Sequence, residues 1–451
     1  MGINLLSPRA HKFLLLLLIL AAGVEFGVRG PLRAARLGRG WNDFLSPYIQ
    51  AKVWTKGLDP YSLKVFLSEW PADLHRPDFV AHDAADGTLV ARRGVPSPYP
   101  LTSFVLLAPF SVLPWATAHA VWTVVNLLAF ACSLGALVSL TGLDWKEPRA
   151  LLFLAIALAL APIHTGISTG NPAVLVVGLC VGTVWAANRE RAKLAGILLG
   201  AAVCLKPQVG LCFVLYYLVR RRWSVAGMAC GWTAVIAVIA ASRLSGVPWL
   251  PTYLQDNKSV FGPGAINDFT PLNPVWYNMV NLQVLLWQVV RSAGLANLLA
   301  LLLGALSLAI WLWLFTKHQP TSELLEISCL IVLSLLPVYH RFYDAELLIL
   351  PLAWSLTAVK GQHKRLALLT LVCILPFLAP GASLLNQLAE GGRIPVAIGS
   401  PWWWNVFAVS HEVWALLALG FLLLCAMAIF RTAEGDRLSH VESKMKANAS
   451  G

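Results

Sequence analysis

Long apolar runs separated by short polar stretches recur from one end of the chain to the other. Clear examples are residues 13–22, 151–162, 298–315 and 414–430. These runs approach or reach the roughly 17 to 25 apolar residues that a helix needs to cross a bilayer. The pattern therefore predicts an all-α polytopic membrane protein, in which lipid surrounds most of the chain.

About a dozen segments carry this pattern, and the longest of them have room for two crossings. The predicted helices span 13–27, 101–114, 116–140, 150–165, 171–187, 193–219, 225–242, 279–316, 322–338, 344–359, 366–380 and 411–431. We expect about 11–13 transmembrane helices in one membrane domain, residues 1–431. The polar tail that follows, residues 432–451, is expected to be disordered and cytoplasmic.

Composition agrees with a membrane protein. Hydrophobic residues make up 58% of the chain and charged residues 12%, whereas soluble domains carry roughly 25% charged residues. The net charge is +12, and the most basic short loops are 188–193, 220–223 and 360–365. The positive-inside tendency assigns these loops to the cytoplasm, so the charge requires no nucleic-acid partner.

The same rule places the polar stretches 243–277, 339–343 and 381–410 on the extracytoplasmic side. The first loop, residues 28–100, does not fit this rule as an extracytoplasmic loop, because it begins with Arg29, Arg33, Arg36 and Arg39. Counting crossings through residues 101–150 also fails, unless one segment there is re-entrant.

Charged residues within or beside membrane helices are costly, and each is a candidate functional residue. They are Glu25, Asp43, Lys206, His340, Arg341, Asp344, Glu346 and Glu412. Asp43 has two interpretations. It is either the N-cap of a helix over residues 44–54, or a general base held at the membrane surface.

A dense polar cluster, YHRFYD at residues 339–344, interrupts two apolar runs. On a helix, Asp344 would pair with Arg341 or with His340. The alternative, which we favour, is phosphate binding by the arginine fork and by a proton-tunable histidine. Lys206 is a second candidate phosphate ligand, or else a lysine whose side chain extends to the membrane surface.

Two helix breaks are predicted near these residues, at Gly170-Asn171-Pro172 and at Lys206-Pro207. The sequence has no Asp-x-Asp pair, no P-loop, no dinucleotide fingerprint and no nucleophile elbow. Cytosolic nucleotide chemistry is therefore disfavoured, and neither a metal nor another cofactor is expected.

Several blocks, in this order and spacing, resemble glycosyltransferase family 87, a family of polytopic enzymes of the GT-C type. The blocks are WNDFLSPYIQAKVWTKGLDPY (41–61), PSPYPLTSFVLLAPFSVLPWATAHAVWTVVNLL (96–128), GNPAVLVVGL (170–179), AGILLGAAVCLKPQVGLCFVLYYLVRRRW (195–223) and YHRFYDAELLILPL (339–352). The resemblance implies a GT-C-like fold whose extracytoplasmic loops form the active site. It also implies an essential aspartate in the first extracytoplasmic loop, and Asp43 stands at that position.

By this resemblance, the protein transfers a hexose, with mannose favoured, from a polyprenyl-phosphate donor to a lipid-linked or cell-envelope glycan. The enzyme would lie in the bacterial inner membrane, among membrane lipids, with an inverting mechanism and no cofactor. The predicted roles are Asp43 as base, Arg341 and Lys206 as phosphate ligands, and His340 as a ligand or second proton acceptor coupled to Asp344. Tyr343, Tyr61 and Asn171 are predicted supporting residues.

Two other classes remain open. An O-antigen ligase or polymerase also uses lipid-linked glycans, but we would expect an arginine- and histidine-bearing late loop, and residues 381–410 hold only Arg393. A transporter or flippase of lipids or sugars would carry ionisable residues near the bilayer midplane, and Lys206 is the one candidate of that kind.

Overall fold

The computed structural model describes residues 8–40, 42–74, 80–82, 89–91, 96–316, 322–361, 363–399 and 402–429. The predicted polar tail, 432–451, lies outside the described residues. The described chain is mainly helical, and its one sheet is a short antiparallel pair of strands, β1 (Val80–His82) and β2 (Leu89–Ala91).

The α-helices, in chain order, are α1 (Pro8–Arg29), α2 (Pro31–Leu37), α3 (Leu45–Thr55), α4 (Leu63–Ser68), α5 (Leu101–Ser111), α6 (Trp115–Thr141), α7 (Pro148–Ala159), α8 (Ala161–Thr169), α9 (Ala173–Asn188), α10 (Ala192–Leu205), α11 (Pro207–Val219), α12 (Trp223–Ser242), α13 (Trp249–Val260), α14 (Leu282–Val290), α15 (Ala293–Thr316), α16 (Glu323–Ser334), α17 (Ile349–Ala358), α18 (Lys364–Ile374), α19 (Gly381–Glu390), α20 (Val396–Gly399) and α21 (His411–Ile429). Short 3₁₀ segments cover Trp276–Asn278, Phe342–Leu348 and Leu375–Leu378, and a π-helical turn covers Trp404–Val409.

The prediction of an all-α polytopic membrane protein is confirmed. Among the described helices, five are long and apolar enough to cross a membrane, or up to seven if each of two bent pairs is one span. Four apolar helices, α5, α9, α10 and α11, are shorter, at 10–17 residues. The expected 11–13 spans therefore appear as fewer full-length helices, because proline and glycine divide several of the predicted segments into shorter helices.

The loops gather at two ends of the helix bundle. At one end, Arg189 donates to the Ser139 hydroxyl at 2.9 Å and Arg222 donates to the Ala187 carbonyl at 2.8 Å. The loops that follow α6, α9 and α11 meet there, and we call this the basic end. The opposite end carries the loop before α3, the α8–α9 turn and the α10–α11 break, and we call it the site end.

Helix α5 does not connect the two ends. Near its start, the Thr102 hydroxyl donates to the Cys204 carbonyl at 3.0 Å, and just after its end the Leu113 carbonyl accepts from Tyr48 at 2.8 Å. Both partners belong to the site end. An 11-residue helix is only about 16 Å long, roughly half the thickness of the hydrocarbon core. The helix packs along α3 instead, which accounts for the extra crossing counted in residues 101–150.

Candidate active site

Asp43 lies at the site end, in the short connection between α2 and α3. The start of α3 is capped by its neighbour, because the Asn42 side-chain oxygen accepts from the backbone N–H groups of Phe44 and Leu45 at 3.0 and 3.1 Å. The interpretation of Asp43 as an N-cap is therefore wrong. Its backbone N–H donates to the Thr169 carbonyl at 2.8 Å, and the residue as a whole is partly exposed.

The turn between α8 and α9 holds the next residue of the site. Gly170 has a φ of +71°, and a Cβ there would lie 3.0 Å from the Cβ of Phe44, so the position requires glycine. Its carbonyl accepts from the Trp122 indole at 2.8 Å. The predicted helix break is confirmed, and the turn presents Asn171 to the loop that carries Asp43.

Asn171 bridges two charged side chains. Its Nδ2 donates to Oδ2 of Asp43 at 3.0 Å, and its Oδ1 accepts from Nζ of Lys206 at 3.1 Å. Lys206 occupies the predicted break between α10 and α11 and is 5% exposed. The alternative in which Lys206 extends to the membrane surface is therefore wrong.

Lys206 forms a short buried ion pair with Asp344, which is 2% exposed. The other carboxylate oxygen of Asp344 lies 3.3 Å from Nδ1 of His340 and accepts from the backbone N–H of Arg341 at 3.0 Å. Five predicted residues, Asp43, Asn171, Lys206, Asp344 and His340, therefore form one continuous polar chain. We call it the site chain.

The side chain of Arg341 points away from Asp344. Its Nε donates to the Tyr339 hydroxyl at 2.6 Å, and its Nη2 donates to the Ile266 carbonyl at 2.7 Å. The alternative in which the side chain of Arg341 pairs with Asp344 is therefore wrong, whereas the pairing of His340 with Asp344 is confirmed. Nη1 of Arg341 has no hydrogen-bond partner among the residues that the structure describes.

Two further groups of the cluster at residues 339–344 lie at the site chain, namely the ring of Tyr343 and Nε2 of His340. The aromatic ring of Tyr343 lies under Lys206, with Nζ 4.8 Å from the ring centroid. Nε2 of His340 is buried, and no described residue forms a hydrogen bond with it. Among the described residues, the cluster thus has one imidazole nitrogen, which is buried, and one guanidinium nitrogen without a hydrogen-bond partner.

Sequence reasoning missed the loop that receives Arg341. Asp268 fastens this loop by accepting from the backbone N–H groups of Gly264 and Thr270 at 2.7 and 2.9 Å. Asn273 adds bonds to the carbonyls of Ile266 and Asp268 at 3.1 and 2.8 Å. The dense turn composition of GPGAINDFTPLNP, residues 262–274, was the available signal.

Tyr61 lies apart from the site chain. It is 2% exposed, and its hydroxyl donates to the Tyr99 carbonyl at 2.7 Å. Its ring packs against Tyr253 of α13, with centroids 4.9 Å apart. Tyr61 therefore supports the segment around Tyr99 and does not contact Asp43.

The three other charged candidates, Glu25, Glu412 and Glu346, are not part of the site chain. Glu25 pairs with Arg29 at 2.6 Å within α1, and Glu412 accepts from the backbone N–H of Ala382 at 3.3 Å. Glu346 is 2% exposed, and its Oε1 has no hydrogen-bond partner in the described part of the chain. Only this last residue lies near the cluster.

We predict that Asp256 makes stability depend on pH. Burial raises the pKa of Asp256 to about 7, and the negative charge of Asp59 acts in the same direction. Because the pKa of Asp256 in the folded state lies above its value in the unfolded state, protonation of this carboxyl favours the folded state. This stabilising contribution is fully present below about pH 4 and is lost as the pH rises through about 7. Thermal unfolding of wild type and Asp256→Asn between pH 5 and 8 should show a smaller fall in midpoint for the variant. Equal falls would contradict the prediction, and Asp73→Asn, which replaces an exposed carboxylate, is the control.

The helices and the site chain define a class: a polytopic membrane protein with a buried polar cluster that ends in a partly exposed aspartate. A sequence profile described as glycosyltransferase family 87 matches residues 98–338, just over half of the chain. The chain belongs to glycosyltransferase family 87, as the sequence blocks predicted, and this membership supports glycosyl transfer as its activity. The match includes Asn171 and Lys206, whereas Asp43 and the cluster at 339–344 lie outside it.

One curated relative is the polyprenol-phosphate-mannose-dependent alpha-(1-2)-phosphatidylinositol pentamannoside mannosyltransferase of Mycolicibacterium smegmatis. It is 26% identical over 166 residues, which cover 36% of this chain and 37% of the relative. The chain therefore spans little more than a third of the relative that it matches. No solved structure matched this chain.

Proposed function

We propose that this protein transfers a hexose, with mannose favoured, from a polyprenyl-phosphate sugar to a lipid-linked or cell-envelope glycan. The observation that carries the proposal is the site chain, which places one partly exposed aspartate, Asp43, at the head of a buried series of cations and hydrogen bonds. Family membership and the donor named for the M. smegmatis relative support the choice of donor.

The proposed reaction needs one base and one good leaving group. The acceptor hydroxyl oxygen attacks C1 of the donor sugar, while the C1–O bond to phosphate breaks and its electron pair leaves with the polyprenyl phosphate. Oδ1 of Asp43, which has no hydrogen-bond partner among the described residues, takes the hydroxyl proton. Attack opposite the phosphate inverts the configuration at C1, and a phosphate monoester needs no protonation by a second carboxylic acid.

The donor phosphate is assigned to Arg341. Its uncommitted Nη1 supplies a charge-assisted hydrogen bond, and its other nitrogens fix the guanidinium between Tyr339 and the loop at 262–274. Lys206 was predicted as a second ligand, but its ammonium is engaged by Asp344 and Asn171. In this proposal Lys206 supplies a supporting positive charge behind the phosphate. Nε2 of His340 binds an oxygen of the sugar donor or takes up a proton.

The arrangement of the loops supports an extracytoplasmic site. The basic end carries Arg189, Arg191, Arg220, Arg221 and Arg222, which the positive-inside tendency places in the cytoplasm. Asp43 and the rest of the site chain then lie toward the other face of a bacterial inner membrane. Polyprenyl-phosphate sugars can be used on that face, where nucleotide sugars are absent.

The Arg341→Lys variant should lose transfer efficiency. Lysine cannot keep the fork that spans Tyr339 and Ile266 while also reaching a phosphate oxygen, so kcat/KM for the donor should fall on the order of 10²-fold. Initial rates at varied donor concentration measure the effect. Arg243→Lys, which changes an exposed arginine outside the site chain, should stay within about twofold. Equal kcat/KM for the two variants would remove Arg341 from the donor site.

A donor panel tests the function itself. The purified protein in nanodiscs would receive polyprenyl-phosphate mannose, glucose or galactose, each radiolabelled in the sugar, with a membrane glycolipid extract as acceptor. Nucleotide sugars serve as comparison donors. Label in the glycolipid fraction from at least one polyprenyl-phosphate hexose is expected. Label from nucleotide sugars only, or from none of the donors, would overturn the proposal.

A further inference from the structure

We propose that Asn171 is a positioning residue that fixes the carboxylate of Asp43 for proton transfer and is itself held in orientation by Lys206. This inference rests on the proposed function, in which Asp43 is the general base. It goes further by assigning a role to the amide and a reason for the buried lysine beneath it.

The orientation of the Asn171 amide follows from its neighbours. Its Oδ1 lies 3.1 Å from Nζ of Lys206 and 3.0 Å from the backbone N of Ala173. An ammonium group and a backbone N–H can only donate hydrogen bonds. A reversed amide would set its NH₂ group against both donors, so the oxygen must face them. The NH₂ group is thereby directed at Oδ2 of Asp43, 3.0 Å away.

Asp43 is consequently held at two points by the same turn. Its backbone N–H donates to the Thr169 carbonyl at 2.8 Å, and its Oδ2 accepts from Asn171. The second oxygen, Oδ1, has no hydrogen-bond partner in the part of the chain that the structure describes. A base whose reactive oxygen is presented in one direction avoids the orientational cost that a freely rotating carboxylate has at each turnover.

Asn171 acts through Asp43 and does not contact substrate. It is 2% exposed, whereas Asp43 is partly exposed. Beneath it, Lys206 is paired with Asp344, which keeps the ammonium in place as a donor to the amide oxygen. The buried ion pair thus has a defined task, which is to set the orientation of one amide.

The test compares Asn171→Asp with Asn171→Leu. Aspartate keeps the shape of the side chain and an acceptor oxygen for Lys206, but it replaces the donated N–H with a second carboxylate oxygen facing Asp43. We expect kcat near neutral pH to fall about 10- to 100-fold in both variants, with the donor KM within about twofold.

The two variants should differ in acid. Two adjacent carboxylates share one proton, and the shared proton restores a donor between residues 171 and 43. Activity of Asn171→Asp should therefore recover, relative to wild type, as the pH falls from 7 toward 5. Asn171→Leu has no such proton and should not recover. The groups around this pair are Arg341, Tyr99, Tyr339 and Tyr343, which interact with Asp43, and Lys206, Asp344 and His340 of the site chain. Among these residue types only histidine titrates between pH 5 and 7. His340 is the same in wild type and in both variants, so it cannot account for a pH response that only Asn171→Asp shows.

Asn126→Leu is the matched control. Asn126 is also buried, at 1% exposure, and donates to the Trp122 carbonyl at 2.9 Å within α6. Its kcat should remain near that of wild type. A wild-type kcat in either Asn171 variant would overturn the inference, as would the same pH response in both. If Asn171→Asp does not fold, the comparison of kcat between Asn171→Leu and Asn126→Leu tests the inference by itself.

The parent variant separates this inference from the function on which it rests. If Asp43→Asn abolishes transfer while the Asn171 variants keep the wild-type kcat, the positioning role fails and the base assignment stands. If Asp43→Asn transfers at the full rate, Asp43 is not the base and the positioning role fails with it.

Discussion

The Asp43→Asn variant should fold, bind donor and transfer almost no sugar. Asparagine keeps the shape of the side chain but cannot take the proton from the hydroxyl group of the acceptor. A general base typically contributes a factor of about 10²–10⁴ in rate. We therefore expect kcat to fall by that factor, with little change in donor KM. Single-turnover transfer from polyprenyl-phosphate hexose by the protein in nanodiscs measures the loss.

Asp73→Asn is the control for this result, because Asp73 is an exposed aspartate of the same first loop and lies outside the site chain. Its rate should match that of wild type. Full activity of Asp43→Asn would contradict the assignment and move the search for a base to His340 and Asp344.

The largest effect on stability is expected from breaking the ion pair of Lys206 with Asp344. The two side chains are 6% and 1% exposed, so removing either partner leaves an uncompensated charge in the protein interior. Such a loss costs about 3–5 kcal/mol. Lys206→Met and Asp344→Asn should each lower the free energy of unfolding by that amount, measured by denaturant or thermal unfolding in detergent.

The double variant, Lys206→Met with Asp344→Asn, should be more stable than either single variant, because no isolated charge remains. Lys56→Met provides a matched control. Lys56 pairs with Glu69 at the surface and is 48% exposed, so its loss should cost at most about 1 kcal/mol. Additive losses in the double variant would show that the two charges are not coupled.

The sequence identified charged candidates that the fold brings together, and it located two of the helix breaks. Long apolar runs predicted most helices, because a helix that crosses a membrane requires such a run. The breaks at Gly170-Asn171-Pro172 and Lys206-Pro207 followed from the backbone limits of glycine and proline. The cost of charge in lipid marks Asp43, Lys206 and Asp344 as candidates from their place in the sequence alone.

Other features depend on three-dimensional packing that local patterns do not encode. Helix α5 has the composition of a membrane span, and only its length and its contacts at both ends show that it stays at the site end. The sequence also left open whether Lys206 points inward or outward, because a long side chain can do either. The direction of Arg341 depends on the loop at 262–274, which is 67 residues away in sequence at its nearest point, Pro274.

The most direct test of the central claim is to measure lipid product per sugar transferred. The wild-type protein in nanodiscs would be offered hexose on polyprenyl monophosphate and, separately, on polyprenyl diphosphate, with mass spectrometry of the released lipid. We predict one molecule of polyprenyl monophosphate per hexose transferred, from the monophosphate donor alone. Transfer only from the diphosphate donor would indicate a ligase-type enzyme, and movement of donor across the membrane without cleavage would indicate a transporter. Either result would contradict this account.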